Sequence, residues 1–280
     1  MNVLEKIKSS ITYCDGGAGT LLQSLGLKAG EKPETWNITN PDKIIEIHRQ
    51  YLEAGAEIIT SCTFGANRLK FDNLGEIVTA AIKNAKAACQ EYEAYVALDI
   101  GPTGRMLEPL GDLKFEEAVS IFAETIKIGA SAGADLVLIE TMNDSLEAKA
   151  AVLAAKESCD LPVFITCVYD ETKKLMTGAD PAAMIAMLEG LGADAIGINC
   201  SLGPRQMLEI VPEFAKNASV PIIVNPNAGL PRSENGKTVF DVDAEEFANI
   251  MCEIVKAGAT IIGGCCGTTP EHIAKTVAKA

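Results

Sequence analysis

The chain has 280 residues, 48% of them apolar, with 24 Gly and 12 Pro; such a chain can bury one large core, and its composition excludes the disordered and fibrous classes. Its 24 basic residues against 38 acidic ones leave a formal net charge of −14, which argues against a nucleic-acid or anionic-membrane partner. The opening MNVLEKIKSS has no apolar leader core and no run of about 18 apolar residues follows it, so the protein is expected in the cytoplasm.

The first strand candidate is Ile11–Asp15, and it runs into Gly16-Gly17. Asp42–Glu53 reads as a helix, stopped by Gly55 in the phrase AGAEII (Ala54–Ile59), which opens strand two and leads to Cys62-Thr63-Phe64-Gly65. Strand three is Tyr95–Asp99, followed by Ile100-Gly101-Pro102, and the next helix is Glu116–Ser131. AGADLVLIE (Ala132–Glu140) repeats the earlier phrase and carries strand four to Glu140-Thr141; helix Ser145–Glu157 follows. Pro162–Val168 is strand five, with Thr166-Cys167 near its end, and Pro181–Glu189 the helix after it. LGADAIGIN (Leu191–Asn199) repeats the phrase again and delivers Cys200-Ser201. Pro221–Asn225 is strand seven, running into Pro226-Asn227, and Ala244–Lys256 is helical. AGATIIGG (Ala257–Gly264) is the fourth copy and ends in Cys265-Cys266-Gly267.

In each copy Gly stops a helix and small residues turn the chain into a strand. The strands are continuously apolar, as strands covered on both faces must be. Eight such units, with no linker or composition break, predict an α/β fold: a single-domain (β/α)8 TIM barrel occupying residues 1–280. A doubly wound open sheet is the competing architecture.

In a TIM barrel the chemistry sits at the C-terminal ends of the strands. No Lys or His ends any of the eight, which disfavours Schiff-base and histidine acid–base catalysis. Thiols and carboxylates stand there instead. Nine cysteines without a leader argue against a disulfide framework. Successive residues of a strand face opposite ways, so Cys265 and Cys266 can share one target only if the backbone leaves strand geometry. Gly263, Gly264 and Gly267 permit that departure. Cys200, two strands away, offers a third sulfur, and three thiolates without a fourth protein ligand describe an open Zn²⁺ site. Buried thiols without metal, a vicinal disulfide, and a closed structural site completed by Cys62 or Cys167 are the competing readings. A metal with three anionic sulfurs is a weak acid toward water but a good holder of a reactive thiolate, so alkyl transfer to sulfur is the expected reaction.

Asp15 and Glu140 are candidates for a substrate ammonium, and the turn Gly16-Gly17-Ala18-Gly19-Thr20 offers backbone N–H groups to a carboxylate. Asp15 as a mere turn residue and Glu140 as a barrel ion partner are the plainer alternatives. His48 is expected on a helix surface, and Trp36 in the loop after strand one, packing near the barrel mouth. Asn225 and Asn227 are candidates to line the pocket.

Across nearly its whole length the chain resembles the homocysteine S-methyltransferase family, and most closely the homocysteine-binding module of cobalamin-dependent methionine synthase. The resemblance is carried by DGGAGT (Asp15–Thr20), TFGANRLK (Thr63–Lys70), Glu140-Thr141, GINCSLGP (Gly197–Pro204), NPNAGLP (Asn225–Pro231) and GGCCGTTPEHI (Gly263–Ile273). It implies zinc on Cys200, Cys265 and Cys266, with the homocysteine sulfur as fourth ligand. It implies that Asp15 and Glu140 hold the amino group, with Thr141 beside them and the Gly16-Gly17 backbone near the carboxylate. It also implies methionine as product. The expected methyl source is a cobalamin (corrinoid) carried by a separate protein, since no donor domain is expected within 1–280; S-methylmethionine, S-adenosylmethionine or betaine is the alternative. A different thiol acceptor, or a non-catalytic homocysteine-binding subunit, would also use these motifs.

Overall fold

The computed structural model describes residues 2–28, 30–234 and 237–280. Eight parallel strands form one sheet in the order β1-β10-β7-β6-β5-β4-β3-β2. They are β1 (Thr12–Tyr13), β2 (Ile58–Thr60), β3 (Tyr95–Ile100), β4 (Leu136–Met142), β5 (Val163–Cys167), β6 (Ala195–Asn199), β7 (Ile222–Asn225) and β10 (Ile261–Ile262). A parallel bridge between Cys14 and Ile58, flanked by Asp15 N–H to Ile58 O (3.0 Å) and Glu57 N–H to Tyr13 O (2.7 Å), joins β1 to β2 and closes the barrel. A short antiparallel hairpin of β8 (Arg232–Glu234) and β9 (Lys237–Val239) follows β7 and lies outside the sequence-based expectation.

The core has two parts, as a barrel requires. Inside the barrel, Ile58, Ala97, Leu138, Phe164 and Ile223 pack with Val3 and Ile7, so the N-terminal helix Val3–Ser9 joins the interior cluster. A larger cluster fills the layer between strands and outer helices. Among the described residues, no helix is long and apolar enough to cross a membrane.

The repeated phrase does two jobs. Its glycines, Gly55, Gly133, Gly192 and Gly258, have φ between 85° and 122°, so each ends its helix in the left-handed region that side chains avoid. The acid two residues later then accepts a backbone N–H of the preceding barrel strand: Glu57 from Tyr13 (3.2 Å), Asp135 from Val96 (2.7 Å) and Asp194 from Val163 (2.9 Å). Lys6, Lys86 and Lys156 pair with those three acids.

His48 is not on the surface. Helix Pro41–Glu53 buries Ile44, Ile47, His48, Tyr51 and Leu52, and the 3–4 spacing places His48 on the inward stripe. Its Nε2 has no hydrogen-bond partner among the described residues, and burial holds its pKa down at about 4, against an ordinary 6.5. A lowered imidazole pKa means that the unfolded chain binds the extra proton first. Stability is therefore complete above pH 6.5 and is lost as pH falls toward 4, by up to roughly 3 kcal/mol from this residue. In urea titrations at pH 7.5 and 4.5, His48→Gln should lose markedly less stability on acidification than the wild type. Equal losses would refute the assignment.

Candidate metal and substrate site

The two closing strands are short because their ends are given over to the site. After Ile262 the chain leaves the sheet: Gly264 N–H donates to Asp15 O (3.0 Å) and Cys265 N–H to Pro226 O (2.8 Å), while Cys266 O accepts from Ala228 N–H (3.0 Å). Anchored to the ends of β1 and β7 in this way, adjacent cysteines turn their sulfurs to the same place. Just past β6 the backbone at Cys200 and Ser201 adopts φ of 56° and 61°, in the left-handed region. Such a backbone costs about 1 kcal/mol or more per residue and persists only where its surroundings enforce it.

The result is a cluster. The Sγ atoms of Cys200, Cys265 and Cys266 all lie within 4.8 Å of one another, with Cys200 and Cys266 4.0 Å apart. Tetrahedral zinc with Zn–S of about 2.3 Å needs sulfurs about 3.8 Å apart, so a small inward movement suffices. Among the described residues no fourth His, Cys, Asp or Glu joins this group; Cys62 and Cys167, the candidates for closing it, stand outside. The amide oxygens of Asn225 and Asn227 are buried with no hydrogen-bond partner among the described residues. A donor set of three sulfurs with room for a further ligand suits zinc in an open site. Hydrogen bonds from Cys265 and then Cys266 draw the Cys200 thiol well below its ordinary range, and the same sharing pushes Cys265 up.

The sulfurs open on a cavity of about 430 Å³ whose wall includes Asp15, Asp99, Glu140, Thr141, Cys62 and Phe64. Among the described residues no Lys, Arg or His lines it. Asp15 is buried, and its carboxylate accepts from Thr60 N–H (2.8 Å) and Thr60 Oγ1. Burial nevertheless pushes its pKa up to about 7. Glu140 and Thr141 sit where the β4–β5 register slips between Ile139 and Met142, and Thr141 has φ of 63°, an unusual value for a β-branched residue. Burial, then the charges of Cys200 and Asp15, push Glu140 up to about 8. Neither carboxyl group meets a basic side chain among the described residues of the wall.

Asn199, given no role from sequence, ties these parts together. Its Oδ1 accepts from Thr141 N–H and from Thr166 Oγ1, each at 2.9 Å, and its Nδ2 donates to Thr141 Oγ1 (2.8 Å) and reaches Glu140 Oε2 (3.5 Å). Its place as the last residue of β6, one before a thiol, was the available signal.

The glycine turn departs in part from expectation. Gly17 N–H, a candidate donor to a substrate carboxylate, is occupied by Thr268 Oγ1 at 3.0 Å, because the turn packs tightly beneath the Cys265 loop. A Cβ on Gly17 would meet Cys265 O at 2.7 Å, a backbone atom with no freedom to retreat. Gly17→Ala should therefore weaken metal retention while leaving the circular-dichroism spectrum intact; unchanged zinc affinity in a chelator competition would count against this packing role. Trp36 begins the short helix Trp36–Thr39 and is buried, its Nε1 donating to Glu31 (2.8 Å), so it serves as core packing.

Comparison with known proteins agrees with this geometry. The profile of the homocysteine S-methyltransferase family matches residues 12–280. The chain is 32% identical over 303 residues to the methionine synthase of Mycobacterium leprae (strain TN), covering 99% of this chain and 25% of that protein. The methionine synthase of Mycobacterium tuberculosis (strain ATCC 25618 / H37Rv) is 31% identical over 300 residues, with the same coverages. The chain thus spans about a quarter of the length of these curated relatives. Its fold matches the metallated form of the homocysteine methyltransferase MmuM from Escherichia coli, with a TM-score of 0.83 at 22% identity, over 98% of this chain and 97% of that one. A (β/α)8 barrel matched by the family's profile from its first strand onward belongs to the homocysteine S-methyltransferase family.

Proposed function

We propose that this barrel transfers a methyl group to the sulfur of homocysteine, giving methionine, with one zinc ion held by Cys200, Cys265 and Cys266. The observation that carries the reading is a three-sulfur cluster opening on a cavity rich in carboxylates and, among the described residues, without a basic side chain, in a chain of this family. Zinc, when bound there, supplies the charge that keeps an incoming thiol deprotonated near neutral pH.

The remaining work falls to the chain itself. Asp15 and Glu140 receive the substrate ammonium, each charge-assisted contact being worth roughly 1.5–3 kcal/mol. Raised to about 7 and about 8 in the empty cavity, their carboxyl groups release protons as the ammonium arrives and leave ion pairs in place of neutral acids. Thr141 closes the pocket beside Glu140, and the Gly16-Gly17 turn lies along the same wall. With the amino acid held at one end and its sulfur at the other, the sulfur attacks the methyl carbon in line. The new S–CH₃ bond forms as the old bond to the donor breaks, its electron pair departing with the donor.

The donor in this reading is a methylcorrinoid on a separate protein, in keeping with the relatives named methionine synthases. S-methylmethionine, S-adenosylmethionine and betaine are the competitors. The test is a screen of zinc-loaded protein and homocysteine with methylcobalamin and each small donor, with methionine quantified directly. Cysteine and coenzyme M serve as alternative acceptors. Methionine formation that depends on zinc is expected. Zinc binding without methionine from any donor would overturn enzymatic function, and full activity in zinc-free protein would overturn the metal's role.

A further inference from the structure

We infer that Asp99 is a third acceptor in the ammonium pocket, and that this residue makes the cavity select primary amino thiols; the inference rests on the homocysteine reading above. Asp99 stands at the top of β3 and lines the same cavity as Asp15 and Glu140. It is only 6% exposed, and its Oδ1 has no hydrogen-bond partner among the described residues. A buried carboxylate oxygen left unpaired costs on the order of 1–3 kcal/mol, so its retention calls for a ligand. Its backbone is held from both sides: the N–H donates to Ser61 Oγ (3.2 Å) and the C=O accepts from Thr63 Oγ1 (2.8 Å), so the side chain is presented on a rigid support.

The three carboxylates differ in how far the protein already satisfies them. Asp15 takes the N–H and hydroxyl of Thr60, and Glu140 has a long contact with Asn199 Nδ2 (3.5 Å). Asp99 is the one with a fully buried oxygen that has no hydrogen-bond partner among the described residues. Burial, then the nearby charges of Glu140, Asp15 and Glu34, raise its pKa well above the carboxylate range, as expected for an acid waiting for a cation. No basic side chain among the described residues of the wall supplies that cation. A primary ammonium has three N–H donors, and Asp15, Glu140 and Asp99 provide one acceptor for each.

The test is binding, read separately from turnover. Isothermal titration of zinc-loaded wild type and Asp99→Asn would use L-homocysteine and 4-mercaptobutanoate, which is homocysteine without its amino group. The amide is isosteric and breaks no bond that Oδ1 makes, so the variant keeps the fold. Homocysteine affinity is expected to fall about tenfold or more in Asp99→Asn, while 4-mercaptobutanoate changes by less than about threefold. Equal losses for both ligands, or no loss for homocysteine, would overturn the inference and leave the reaction standing. A wild-type protein that does not bind homocysteine would overturn both.

Discussion

Replacing Cys265 by Ser should leave an intact barrel that no longer retains one zinc per chain and transfers methyl groups at least about a thousandfold more slowly. The fold should survive because the Cys265 loop is held by its backbone: the N–H bonds Pro226 O, and the C=O accepts from Thr268 N–H (3.1 Å) and Thr268 Oγ1 (2.7 Å). None of these uses the sulfur. The metal should be lost because a serine hydroxyl is not ionised near neutral pH and two thiolates remain where three stood. Zinc quantified after dialysis against a chelator, a thermal melt and methionine formation check the three parts separately. Stoichiometric zinc and undiminished turnover in Cys265→Ser would remove the basis of the proposed mechanism.

Glu140→Gln should move stability and substrate binding in opposite directions. Glu140 titrates at about 8 in the folded protein against an ordinary 4.5. A carboxyl whose pKa is raised by folding holds its proton in the native state after the unfolded chain has released it. The penalty therefore grows from pH 4.5, is complete above about pH 8, and is absent in acid. The glutamine variant carries no such penalty. In the metal-free protein it should be more stable than the wild type at pH 8 by up to roughly 4 kcal/mol, and close to equal at pH 4.5. For homocysteine the same change removes a charge-assisted contact made before and during the reaction. KM should rise about tenfold or more with kcat changed far less. A variant that is no more stable at pH 8, or a fall in kcat at constant KM, would refute this account of Glu140.

Much of the site was legible before any coordinates because it lies where the chain changes period. Asp15, Glu140, Cys200 and the Cys265-Cys266 pair each end an apolar strand, and a barrel gathers its strand ends at one mouth. Residues whose roles depend on a neighbour's orientation were not legible. Asn199 reads as an ordinary strand end until its amide is seen spanning β4, β5 and Glu140. Gly17 reads as a carboxylate cradle until Thr268 is found on its N–H. His48 was expected on a helix surface and is buried; the 3–4 apolar spacing of its helix was the signal that reading missed.

The sequence by itself determined the barrel, its four-fold phrase and the residues at its rim. Helix stops, apolar strands and strand-end chemistry are local properties, written within a few residues of where they act. The tertiary structure alone decided that three sulfurs from two separate strand ends share one ion's reach. It alone showed that the carboxylates facing them have no basic partner among the described residues, and that strained turns at Thr141 and Cys200 hold the arrangement. Those facts are distances between atoms brought together only by closing the barrel, where burial strengthens the interactions between charges and removes the water that would otherwise screen them.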